Sequence, residues 1–420
     1  MALLVLKFGG TSVADLERIR HAAAHIKREV EAGHQCAVIV SAMAGHTNQL
    51  ISWTKEAASL HDAREYDAIV SSGEQVTSGL MAVTLQSMGV QARSWQGWQI
   101  PLQTCDTHGA ARIQNIEGEH LKSRLLGGEV AVIAGFQGIS ENNRITTLGR
   151  GGSDTTAVAI AAALKADRCD IYTDVDGVYT TDPRIVSQAQ KMYKVSYEEM
   201  LEMASLGAKV LQTRSVEMAM VHDVRLQVRS SFAPPDGVSS SGDDGTWNGP
   251  GTLVCNEDEI VEKQIVSGIA YAKDEAKVTL VKVADKPGVA ARVFGPLAAA
   301  NINVDMIVQN VSDDGRHTDM TFTVQSEDLN KALNVLSDEK EGIQYSALHG
   351  STDIVKISAI GVGMRSHAGV AADMFKALSD KGINIEAITT SEIKISVLIN
   401  SDYTELAVRT LHSLFGLDAN

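Results

Sequence analysis

Short β-branched apolar runs separated by amphipathic stretches set the pattern of the first 232 residues. Residues 3–8 (LLVLKF), 36–43 (CAVIVSAM), 130–136 (VAVIAGF), 169–175 (CDIYTDV) and 225–232 (RLQVRSSF) are compact enough for burial on both faces, which predicts strands of a mainly parallel sheet. Between them the spacing predicts helices over 14–32 and 74–88, closed by Gly33 and Gly89 as C′ residues. Strand and helix in alternation give an α/β domain over 1–232, a parallel sheet flanked by helices. Ligands of such sheets collect beyond the carboxyl ends of the strands. The polar motifs fall there: Gly9-Gly10-Thr11-Ser12, residues 41–48, residues 135–138 and Thr173-Asp174-Val175-Asp176-Gly177.

The pattern then changes twice. Residues 233–251 (APPDGVSSSGDDGTWNGPG) have almost nothing to bury, which predicts a linker, drawn over 233–260. Beyond it, residues 287–307 (PGVAARVFGPLAAANINVDMI) align without gaps on 368–388 (AGVAADMFKALSDKGINIEAI). Each copy reads as a glycine turn, an amphipathic helix and a strand, preceded and followed by further strands and closed by another helix. That is a duplicated ferredoxin-like βαββαβ unit, with modules expected at 261–345 and 346–420.

Charge narrows the function classes. The 420 residues carry 52 acidic against 37 basic side chains, a net charge of -15, which repels a polyanion and argues against nucleic acid as a principal partner. Cys36, Cys105, Cys169 and Cys255 form no C-x-x-C pair, so neither a zinc site nor a disulfide framework is expected, and a reducing cytoplasm fits. No run suits a signal peptide or a membrane span. There is no G-x-x-x-x-G-K-[ST], protein-kinase motif set, H-E-x-x-H or G-x-S-x-G.

The chemistry-bearing stretch is residues 145–164, ITTLGRGGSDTTAVAIAAAL. Gly149, Gly151 and Gly152 allow positive φ or close backbone approach. Ser153 and Asp154 suit an N-cap, and the helix they open offers free N–H groups and a positive dipole end to a small anion. By itself this reads better as a flexible surface loop capped by the Ser-Asp pair. Lys7, inside an apolar strand two residues before Gly9-Gly10, is either a snorkelling lysine or a cation aimed at the strand-end crevice; the adjacent glycines favour the second.

Residues 7–13 (KFGGTSV), 41–50 (SAMAGHTNQL), 71–75 (SSGEQ), GFQG, TLGRGGSDTTA and YTDVDGVYTTDPR together resemble the aspartokinase family, and the C-terminal repeats resemble its tandem ACT domains. The resemblance implies ATP-dependent phosphorylation of the aspartate side-chain carboxylate, with Mg²⁺ accompanying ATP. It implies Lys7 at the transferring phosphate, oriented by Asp154, with backbone N–H groups from Gly9 and Gly10. Substrate aspartate would meet Ser41, Thr47, Glu74, Arg150, Gly152 and Ser153. The nucleotide would meet Thr173, Asp174, Tyr179, Arg184 and Lys209. Asp174 and Lys209 could equally be a turn former and a solvated helix residue. Lysine, threonine or both are implied as feedback inhibitors at the ACT pair, near Asp285, Gly288, Asn303, Gln309, Asn384 and Glu392, and pairable ACT edges imply a homodimer or higher oligomer. Where many family members read LHPRSVE, residues 211–217 read LQTRSVE, which loses a His-Pro pair beside Lys209. Rival readings are another amino-acid kinase, such as an acylated-glutamate kinase, or an amino-acid sensor with a silent kinase domain.

Overall fold

The computed structural model describes residues 1–206, 210–235, 251–260, 264–311 and 316–418. They divide into two compact units: residues 1–178, 191–204 and the described part of 209–261, then residues 179–190, 205–206 and the described part of 262–420. Among the described residues no helix is long and apolar enough to cross a membrane.

The strands of the first unit are β1 (Leu3–Phe8), β2 (Gln35–Val40), β3 (Ala92–Trp95), β4 (Leu102–Thr104), β5 (Ile113–Ile116), β6 (Val130–Ala134), β7 (Gln137–Ser140), β8 (Ile145–Thr147), β9 (Arg168–Thr173), β10 (Lys194–Ser196), β11 (Leu226–Ser230) and β12 (Thr252–Cys255). Eight form one sheet in the order β10-β12-β11-β9-β1-β2-β6-β3, and all neighbours are parallel except β11 and β12. The expected mainly parallel sheet is therefore present. A smaller sheet, β5-β4-β7-β8, lies outside the sequence expectation.

Alternation along the central strand positions the site. Leu4, Leu6 and Phe8 join one core with Ile19, Ala22 and Ile26 of the helix Leu16–Glu31 and with Met81 and Leu85 of the helix Ser72–Ser87. Successive side chains point to opposite faces, so Lys7 faces the other layer, where the helix Gly152–Leu164 packs. The expected strands end two or three residues early, at Val40, Ala134, Thr173 and Ser230, because the remaining residues already belong to the rim loops. The linker expected at 233–260 needs correction. Residues 252–255 form β12 and pair with both β10 and β11, while 236–250 lie outside the described residues.

The second unit contains β13 (Gly268–Ala272), β14 (Glu275–Ala284), β15 (Val304–Val311), β16 (His317–Gln325), β17 (Ala347–Ser351), β18 (Ile354–Ile360), β19 (Ala387–Thr390) and β20 (Lys394–Asn400). They make two antiparallel sheets, β15-β16-β14-β17 and β13-β18-β20-β19, each with its own apolar core. The boundary expected at 345/346 does not follow these sheets. β17 closes the first module by pairing with β14, and β13, upstream of that module, completes the second by pairing with β18. One module is thus inserted into the other. Ile185 and Val186 pack in the core of the second module, so residues 179–190 belong to this unit.

Candidate active site

The carboxyl ends of β1, β2, β6 and β9 converge on the N-terminus of the helix Gly152–Leu164. Lys7 Nζ lies 2.6 Å from Asp154 Oδ1, with the two residues 8% and 7% exposed. An ion pair this sheltered is poorly screened, so its charge persists at short range. Asp154 sits in the first turn of its helix, where the dipole favours a carboxylate. The N-cap is Gly151, in the left-handed region at φ 71, rather than Ser153 or Asp154. Gly149 has φ 78, so the loop around Arg150 uses two left-handed glycines. Gly152 serves a different need: a Cβ there would lie 2.8 Å from the Phe136 ring. Phe136 itself has φ 70, an uncommon conformation for a bulky residue, and its N–H donates to Thr156 Oγ1 at 3.1 Å.

On the β1 side, a Cβ on Gly9 would come within 3.2 Å of Lys7 Nζ. Gly9 N–H donates to the Tyr172 carbonyl at a long 3.3 Å, and Gly10 opens the 3₁₀ turn Gly10–Val13, whose first N–H groups lack intrahelical acceptors. Gly10 also abuts Ala42: an added Cβ would meet that carbonyl at 3.2 Å. Ala42 N–H in turn donates to Glu74 Oε1 at 3.0 Å. Glu74 is 3% exposed and its Oε2 has no hydrogen-bond partner. Burial pushes its carboxyl up from 4.5 to about 7, against the opposing pull of the Ala42 N–H. A buried carboxylate with one open oxygen is set up to receive a cationic donor.

The other expected site residues are distributed as follows. Ser41, half-buried, donates its N–H to the Phe8 carbonyl at 3.1 Å, and Thr47 lies in the first turn of the helix His46–Ala57. Ser153 is buried against Gly135 at the end of β6. Arg150 is exposed. Thr173 ends β9 and its Oγ1 donates to Asp174 Oδ1 at 3.2 Å. Tyr179 and Arg184 fall in the second unit, where Arg184 is paired with Asp182 at 2.8 Å. Lys209 lies outside the described residues. Of the expected effector residues, Asp285, Gly288, Asn303 and Gln309 lie on the first ACT-like module and Asn384 and Glu392 on the second; Gly288 caps the helix Val289–Ala299 at φ 89, and Glu392 lies 3.5 Å from Arg365.

Several residues that hold this rim were not singled out from the sequence. Gln212, in the LQTRSVE departure, packs onto Gly151, and Arg214 donates to the carbonyls of Leu148 and Ala111 at 2.9 and 3.0 Å. Asp67, fully buried, accepts from His108 Nδ1 at 2.7 Å, from Gly109 N–H at 3.1 Å and from Thr147 Oγ1 at 2.5 Å. A lone aspartate within a helix carries no sequence sign of such a role.

Comparison with known proteins decides the family. A model of the Amino acid kinase family matches residues 2–230, and an ACT domain model matches 278–339 and 357–415. An aspartate kinase of Pseudomonas putida is 52% identical over 420 residues, covering 100% of this chain and 98% of that protein. The chain belongs to the aspartokinase family. An aspartokinase of Corynebacterium glutamicum is 45% identical, over 99% of this chain and 97% of that protein. Among solved structures, E. coli aspartokinase III in complex with aspartate and ADP, in its R-state, superposes with a TM-score of 0.80 at 28% identity, covering 98% and 99% of the two chains. The T-state of the same enzyme with lysine and aspartate gives 0.78 at 28% identity, over 99% of both chains. As an aspartokinase, the chain is a kinase with an ACT pair.

Proposed function

We propose that this aspartokinase transfers the γ-phosphoryl group of ATP to the side-chain carboxylate of L-aspartate, giving 4-phospho-L-aspartate. The buried Lys7–Asp154 pair at the end of the central strand carries the proposal. The E. coli relative holds aspartate and ADP, which supports the same substrates here.

A carboxylate with a reference pKa near 4 is already ionised at neutral pH, so the nucleophile needs no general base. Positioning and charge neutralisation remain. Lys7 offsets charge on the moving phosphoryl group, and Asp154 holds its ammonium in place without taking a proton. Glu74 Oε2 receives the substrate ammonium, and Arg150 receives the α-carboxylate. Ser41, Thr47, Gly152 and Ser153 complete the substrate pocket. Gly9 and Gly10 approach the phosphates, and Thr173, Asp174, Tyr179, Arg184 and Lys209 serve the nucleotide. No group of three His, Cys, Asp or Glu side chains among the described residues is placed to hold an ion, so Mg²⁺ would be held chiefly by the nucleotide's phosphate oxygens, where it neutralises their charge.

The ACT pair would make this activity answer to lysine, threonine or both, through Asp285, Gly288, Asn303, Gln309, Asn384 and Glu392, in a homodimer or higher oligomer. The lysine-bound T-state of the E. coli relative supports that reading. An effector shifts the kinase only by as much as it prefers one arrangement over another.

Trapping with hydroxylamine tests the proposal. ATP and aspartate should yield aspartyl hydroxamate, and lysine or threonine should suppress it. Hydroxamate from an acylated glutamate and none from aspartate would overturn the substrate; full activity with both effectors present would overturn the regulation.

A further inference from the structure

Two loops of the rim come from different strands: the Gly9–Val13 turn after β1 and Thr173-Asp174 at the end of β9. A third strand end joins them. Ser231, directly after β11, is fully buried, and its N–H and Oγ both donate to the Thr173 carbonyl, at 2.8 and 3.0 Å. Ser12, also fully buried, donates its hydroxyl to Ser231 Oγ at 2.7 Å, and Arg18 Nη2 donates to the same oxygen at 3.3 Å. A serine hydroxyl has one hydrogen and two lone pairs, so every bonding position of Ser231 Oγ is filled. Ser12 Oγ also lies 3.4 Å from the Tyr172 carbonyl, but its single hydrogen favours the shorter bond. From the outside, Arg18 grips the same segment: its Nη2 donates to the Ser231 carbonyl at 2.7 Å, and its guanidinium stacks 3.8 Å above the Phe232 ring.

We infer that Ser231 is a positioning residue that locks the phosphate-side turn of Ser12 to the nucleotide-side strand end of Thr173. The inference rests on the proposed use of these two loops for the transferred phosphate and the nucleotide. Ser231, fully buried, acts through these loops. In-line transfer depends on the spacing between Lys7 and the nucleotide seat, and a shift of even a fraction of an ångström weakens it. The bond between Ser12 and Ser231 couples the two loops side chain to side chain, so both hydroxyls should act as one unit.

The test is a double-mutant cycle of Ser231→Ala and Ser12→Ala in the full chain. Each measurement runs well below the unfolding temperature of each variant. Ser231→Ala should weaken binding of a non-hydrolysable ATP analogue, followed by calorimetry, by about 10-fold and raise the KM for ATP similarly, with the KM for aspartate within about twofold. Ser12→Ala should show the same split, and the double variant should be no worse than Ser231→Ala. Should Ser231→Ala fail to fold, Ser12→Ala alone decides. Analogue affinity unchanged in folded variants, or effects that simply add, would overturn the inference. Analogue binding needs no turnover, so an enzyme inert toward aspartate would refute the proposed reaction and leave this result readable.

Discussion

Glu74 pairs one carboxylate oxygen with the Ala42 N–H and leaves the other buried and open, so its proton affinity reports on the site. Its folded pKa of about 7 lies above its ordinary 4.5. Between those values the folded state binds more protons than the unfolded chain, so this group's stabilising contribution is complete below 4.5 and is lost as pH rises through about 7. Glu74→Gln removes the titration. The variant should gain in unfolding temperature relative to the parent as pH rises from 5.5 to 8 (about one pKa unit either side of the titration), while its KM for aspartate rises about 10- to 100-fold for want of an ammonium partner. Parallel pH profiles for the two proteins would contradict the burial argument. Lys7 and Asp154 were legible because a lysine in an apolar strand and a Gly-Ser-Asp helix start are both unusual. The open oxygen of Glu74 was not, since it depends on Ala42, 32 residues away in sequence.

At the scale of elements, the Gly149–Gly152 loop is a turn built on two left-handed glycines. Gly151 combines φ 71 with a Cβ position 1.9 Å from Gln212 Cγ. Gly151→Ala should therefore cost about 2–3 kcal/mol, about 1 of it from the left-handed backbone and the rest from overlap. Adding Gln212→Ala removes the overlap alone, so urea denaturation of the double variant should recover part of the loss and leave about 1 kcal/mol. Equal stabilities of single and double variants would show that Gln212 does not set this turn. Sequence spacing found the buried parallel strands, whose apolar runs need no partner to be recognised. It missed β12 and the β5-β4-β7-β8 sheet, whose three- and four-residue strands are defined only by pairing with distant segments. The N-cap was misread because a left-handed glycine can open a helix without any side-chain cap.

In the whole molecule, the internal repeat revealed two ACT-like modules but not how strands are shared between them. β13 and β17 are short and weakly patterned, and their exchange shows only in the pairings with β18 and β14. Lys356 of β18, 2% exposed, reaches Glu275 of β14 at 2.5 Å and also Asp305 of β15, both in the first module, so the modules share a buried charge as well. A fragment of residues 264–420 should fold cooperatively by circular dichroism, though less stably for want of Ile185 and Val186, whereas 346–420 should not, because it lacks β13 and leaves Lys356 unpaired. Cooperative folding of the shorter fragment would contradict the inserted arrangement. In the proposed mechanism the kinase unit turns on Lys7, a buried cation near the end of its central strand. Its direct test is the rate of hydroxamate formation by Lys7→Met at saturating ATP and aspartate, with folding checked by thermal unfolding. The account predicts a kcat lower by about 10²- to 10³-fold; a kcat within about threefold of the parent enzyme would contradict it.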